Sequence, residues 1–445
     1  MSSHAAIIPQ TRRSLDGALV AGLIGASSLL PGVSIVSIGD VGVQPIILLL
    51  PIYLLVVALL RLPLPTQPLL WIVLVLGSFF ASVAFSTAPA SSELYLVLQG
   101  GYLILGGITF AAICGTPSHR AGFIKGYMTG ALISSFVAFF QAVYSIGTGN
   151  TITLANNSNF SIVGAYGRGA AFTPEPSVLA TLLIPAFLCW WCERQCEGGL
   201  LGRWQRGWLA LFILALGLLA TKSSSLLYLP ALIVIVSTLQ SANVRAFAKS
   251  IGGILLLSVA AGGIFLQFYS SRLENNDATA SEAWRTTKIH AGIAIFETYP
   301  VAGAGLGRVS DVNFFAPFMD IPPDLRWNDE PRKGVDSTAI RVLAESGLIG
   351  FAAMYYPILF FFRRARTLFQ SAAFSGFGGL SYGLLFAQIF ISGYRDQLLL
   401  LLPMIAFATA GNVLGFAYRS GERRHNQPDD DVVLPSGLNQ GSIRS

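Results

Sequence analysis

The chain of 445 residues is 53% hydrophobic and only 11% charged, with a mean hydropathy of +0.63. Soluble domains carry about 25% charged residues, so this composition excludes a water-soluble globule and points to an all-α integral membrane protein. The formal net charge of +6 needs no nucleic acid, because cytoplasmic loops of membrane proteins collect Lys and Arg.

A span needs about 20 largely apolar residues, and by that measure about twelve follow one another. They lie near 17–37, 43–61, 66–86, 92–114, 120–145, 174–192, 206–220, 225–240, 248–268, 338–362, 372–392 and 397–418. The first apolar run is followed by many more, so it reads as a true span and not a cleaved signal. Four segments result: spans one to nine (1–268), a long polar loop with short helices (269–337), spans ten to twelve (338–420) and a polar tail (421–445). The tail holds Asp429-Asp430-Asp431 and reads as disordered.

Basic residues set the orientation. With Arg12 and Arg13 inside, alternate connections carry Arg61, Arg120 and Lys125, Arg194 to Arg206, Arg245 and Lys249, and Arg363 to Arg366. Both termini are then cytoplasmic and the long loop faces out.

Charges on the outer side collect at a few places. Arg168 and Glu175 precede span six, where Thr173 suits a cap and Pro174 a first turn. Glu175 reads either as a helix-start acid or as a site carboxylate. Lys222, between two short spans, either snorkels to headgroups or binds an anion. In the long loop, Trp284, Lys288, Ala291, Ile295 and Tyr299 recur at helical spacing after Ser281, with Arg285 off that stripe and Pro300 as the stop. Gly303-Ala304-Gly305-Leu306-Gly307 lacks a surrounding βαβ unit and reads as a tight turn for close backbone approach, not as a nucleotide loop. Asp336 or Ser337 starts span ten. Arg341 and Glu345 stand one turn apart and can pair, and Tyr394-Arg395-Asp396 forms a very short outer turn.

A basic cluster at a membrane edge suits a diphosphate whose lipid tail lies in the bilayer. A carboxylate beside it can take a proton from a hydroxyl nucleophile. Cys189-Trp190-Trp191-Cys192 stands alone as a C-x-x-C, so the four cysteines read as apolar thiols. No metal-ligand spacing appears, and neither metal nor cofactor is expected.

Taken together, Gly167-Arg168-Gly169, Glu175-Pro176-Ser177, Thr221-Lys222-Ser223-Ser224, Trp284 with Pro300 and the glycine run, and Asp336 with Leu343, Glu345, Gly347, Leu348 and Gly350 resemble the O-antigen ligase and Wzy-type polysaccharide polymerase superfamily. The similarity covers roughly residues 90–415. It implies a multispan bacterial inner-membrane enzyme that transfers glycan from undecaprenyl diphosphate to an acceptor on the periplasmic face, without nucleotide or metal. Where ligases of that superfamily carry His-Asn, this chain has Asp336-Ser337; where they carry Arg after span seven, it has Ser224, with Lys222 two residues earlier. Those departures favour a repeat-unit polymerase over a lipid A-core ligase. Arg168, Lys222, Arg285, Lys288, Arg341 and Arg395 are then expected on the substrate diphosphate, with Asp336 or Glu175 as base. The expected partners are the lipid-linked oligosaccharide, the growing polysaccharide and the bilayer, with a chain-length regulator and a flippase beside them. A ligase with another acceptor and a glycan or anion transporter are the alternatives.

Overall fold

The computed structural model describes residues 10–38, 41–60, 62, 64, 66–150, 152–154, 167–195, 199–223, 226, 228–240, 277–320, 334–335, 337–370 and 374–390. The ninth and twelfth expected spans, the tail, Asp336 and Arg395 lie outside the described residues.

Apolar helices run in chain order as α1 (Gln10–Ser27), α2 (Pro45–Leu60), α3 (Thr66–Ala84), α4 (Pro89–Gly115), α5 (Pro117–Thr148), α6 (Pro176–Gln195), α7 (Trp208–Thr221) and α8 (Leu229–Gln240). They are followed by α9 (Asp277–Thr298), α10 (Thr338–Gln370) and α11 (Ser375–Phe390). Among the described residues, Tyr95–Gly115, Pro117–Thr148 and Pro176–Gln195 are long and apolar enough to cross a membrane. Five shorter apolar helices stand beside them.

The first span is shorter than expected. α1 ends at Ser27, and Val36–Ile38 pairs antiparallel with Val41–Val43 (β1 and β2). Pro31 and Gly32 stop the helix, and the alternating V-S-I and V-G-V favour a hairpin. Gln44 pins this corner through a 2.9 Å bond to the Pro31 carbonyl.

Small residues let the helices touch. Gly122, Gly126 and Gly130 of α5 face Ala18, Gly22 and Ala26 of α1, and a Cβ at any of these glycines would meet α1 backbone. This four-residue small-residue repeat gives close helix packing where lipid offers no hydrophobic drive. Gly376, Gly379 and Gly383 of α11 do the same against Glu193, Leu188 and Pro185 of α6.

α4 and α5 reverse direction at Thr116, which closes one helix and opens the next, with Pro117 in its first turn. The start of α4 and the end of α5 are therefore at one end of the bundle. Arg120 and His119 lie at the other end. There Arg120 donates to the Cys114 carbonyl at 2.6 Å, and His119 bonds the Tyr53 hydroxyl at 2.7 Å. Cys114, Cys189 and Cys192 are buried free thiols.

Candidate active site at one end of the bundle

The first cluster is built on the end of α7. The last carbonyls of a helix have no donor within it. Two of them are taken by the segment before α6: Gly169 N–H donates to the Ala220 carbonyl and Arg168 Nε to the Thr221 carbonyl, each at 2.9 Å. Lys222 follows directly, in the left-handed region at φ 46°. Two cations thus gather at the negative end of the α7 dipole, where positive charge is favoured. They also raise the cost of each other's charge: burial first, then Arg168, hold the Lys222 ammonium below the ordinary lysine value.

Gln141 of α5 sets the backbone of this segment. Its side-chain carbonyl accepts from Ala170 N–H at 3.0 Å and Ala171 N–H at 2.6 Å. Ala171 sits at φ 49°, a conformation a non-glycine residue keeps only when its surroundings impose it. Gly169 lies so close to Ala138 that a Cβ would strike α5 backbone.

Glu175 stands just before α6, and its carbonyl accepts the first helical bond, from Leu179 at 3.2 Å. Ser177 Oγ donates to its carboxylate at 3.1 Å. The helix therefore opens at Pro176, two residues after the expected Pro174. Thr173 does not cap it; its hydroxyl reaches the Ala170 and Glu175 carbonyls at 2.7 and 2.8 Å.

The second cluster is the glycine loop against α10. Gly347 breaks that helix at φ 62°, ψ −162°. The N–H groups of Leu348 and Ile349 turn to the carbonyls of Pro300 and Val301, at 2.9 and 3.2 Å. The carbonyls they leave, Ala344 and Glu345, accept from Ala304 and Gly305, at 2.9 and 3.1 Å. Helix and loop have exchanged backbone bonds. Gly303, Gly305 and Gly307 all have positive φ, and Cβ atoms there would strike Glu345, Ser86 and Tyr95. The expected close approach is therefore made to α10 and to the α3–α4 corner. Ser82 Oγ donates to the Glu345 carbonyl at 2.6 Å, and Thr87 N–H to the Ala304 carbonyl at 3.3 Å.

Within this clamp, Arg341 Nε donates to Glu345 Oε1 at 3.0 Å, and Arg341 Nη2 to Ser310 Oγ at 3.0 Å. Backbone N–H groups of Gly307 and Val309 donate to the same carboxylate. Glu345 is 3% exposed.

α9 shows the expected stripe, with Trp284, Lys288, Ala291 and Ile295 buried and Arg285 exposed. It begins at Asp277, four residues before Ser281. A Cβ on Gly292 would meet Val335 and Ile340, so this face packs on the start of α10. Lys288, one turn earlier on that face, is carried toward the same place.

The fold thus joins Arg168 with Lys222, and Arg341 with Glu345, at one end of the bundle. Arg285 stands apart on the outer face of α9. Gln141, Ser82, Ser310 and the Gly347 break were not singled out from the sequence. Gln141 alone offered a signal, as an amide within an apolar run.

Residues 209–355 match the O-antigen ligase family model. The matched stretch contains Lys222, α9, the glycine loop and the Arg341–Glu345 pair. It supports the resemblance read from the motifs; members of that family are membrane glycan-processing enzymes of the ligase and polymerase type. Arg168 and Glu175 precede it. No curated protein matches the chain.

Proposed function

We propose that this chain polymerises undecaprenyl-diphosphate-linked oligosaccharide repeat units on the periplasmic face of the bacterial inner membrane. The observation that carries the reading is Arg168 and Lys222 together at the end of α7, beside a domain that matches a glycan-processing family. Two adjacent cations at the end of an apolar helix suit a diphosphate leaving group on a bilayer-anchored lipid.

In the proposed reaction an acceptor sugar hydroxyl attacks the anomeric carbon of the donor. The new glycosidic bond forms as the bond to the diphosphate oxygen breaks, and undecaprenyl diphosphate leaves with the bonding pair. Arg168 and Lys222 stabilise the growing negative charge; such preorganised donors act most strongly where water is excluded. Asp336 takes the hydroxyl proton, with Glu175 as the other candidate. A single displacement inverts the anomeric centre.

The ligase reading is favoured by the name of the matching family. The chain has Asp336-Ser337 where the resemblance would place the ligase His-Asn, and this favours the polymerase. The test is polymer size in a deletion strain carrying wild type or Asp336→Asn at equal membrane levels. A ladder with wild type and single repeats with Asp336→Asn support the polymerase and the base. A ladder with both moves the base to Glu175. Polymer that forms without the protein but fails to reach its final acceptor makes it a ligase.

A further inference from the structure

Arg341 looks, from sequence, like one more cation for the substrate diphosphate. Its surroundings give it another task. The guanidinium is buried, and it is committed to Glu345 Oε1 and to Ser310 Oγ, each at 3.0 Å. Glu345 faces five groups from three places in the chain. Its carboxylate takes Arg341 from its own helix and the N–H groups of Gly307 and Val309 from the loop. Its carbonyl takes Gly305 N–H and Ser82 Oγ. Gly347 lies two residues on, where the helix and the loop exchange four backbone bonds.

We infer that Glu345 is a positioning residue and Arg341 its internal counter-charge, and that together with the Gly347 break they lock the first turns of α10 to the glycine loop. The inference rests on the reading that this end of the bundle is the active site, and it removes Arg341 from the diphosphate. The physical argument is local. The break at Gly347 disconnects residues 338–346 from the rest of α10, so their position depends on the loop. The loop in turn spends its Ala304 and Gly305 N–H groups on α10 carbonyls. The buried carboxylate is the acceptor that both sides share. Removing one partner of a buried ion pair strands the other, whereas replacing both by apolar groups of similar volume is often neutral.

The experiment compares Arg341→Met, Glu345→Met and the double variant, with Glu345→Gln as a milder form that keeps the shape and one acceptor. Two readouts are taken on purified full-length protein in lipid: polymer formation at varied donor concentration, and hydrogen exchange of loop amides at 304–305. Each single Met variant is expected to lose at least about tenfold in kcat with loop protection reduced, because the remaining charge is stranded. The double variant should regain most of both, and KM for the lipid-linked donor should change little throughout. A double variant with full loop protection but no activity, or a KM rise confined to the Arg341 variants, places Arg341 on the substrate and overturns the inference. Unchanged exchange in Glu345→Met and Glu345→Gln also overturns it. If wild type itself makes no polymer while exchange follows the expected pattern, the lock stands and the polymerase reading falls.

Discussion

The two cationic clusters at this end of the bundle are built in opposite ways. Arg168 and Lys222 are set side by side, like charge against like, on the carbonyl end of α7. Arg341 is set against a carboxylate in the same helix, and the pair is sealed by a loop from one side and Ser82 from the other. Crowding two cations has a cost that an arriving diphosphate would repay. A buried ion pair already has its charge balanced, and its value is in geometry. On the proposed reading, the first cluster is where the substrate anion binds and the second holds the frame.

The sharpest way to break this comparison is Arg168→Ala. It removes a donor from the proposed diphosphate site, where such a loss typically lowers the rate by about 10²–10³-fold. The expected outcome is loss of long polymer with the protein still in the membrane, seen as a collapsed ladder at matched protein levels. A wild-type ladder would strip the cluster of its role. Unlike the Arg341–Glu345 pair, no second substitution nearby should restore activity.

A smaller effect comes from the titration of Lys222. Its pKa is lowered in the fold by burial and by Arg168. Between that lowered value and the ordinary lysine value, the native state sheds the proton before the unfolded chain does, so stability rises with pH across that window. Labelling of Lys222 by an amine-selective reagent, followed by mass spectrometry against pH, should begin at lower pH than for an ordinary lysine. In Arg168→Gln the profile should move to higher pH. A profile that does not move would mean Arg168 is not the neighbour that matters.

The smallest effect is expected at Arg285, which is exposed on α9, off the buried Trp284 stripe. Surface substitutions of this kind stay within about twofold in equilibrium terms. Arg285→Ala should leave ladder length and thermal stability near wild type. A collapsed ladder there would extend the substrate site across α9.

Much was legible in the chain because its signals are local. Apolar runs of span length foretold the helices, and the period of Trp284, Lys288, Ala291 and Ile295 foretold which face of α9 is buried. Three glycines alternating in five residues foretold a close backbone approach. The hairpin at 36–43 escaped because its two short strands sit inside an apolar stretch that also reads as span. The start of α6 moved by two residues because Thr173 spends its hydroxyl on carbonyls.

By itself, then, the sequence determined a helical membrane protein and the family its motifs resemble, since composition and periodicity act over a few turns. Only the tertiary structure decided which charges meet. Arg168 is 53 residues from Thr221, and Ser82 is 263 from Glu345. No local rule relates groups so far apart; packing of α5 on α7, and of the glycine loop between α3 and α10, brings them within hydrogen-bond distance.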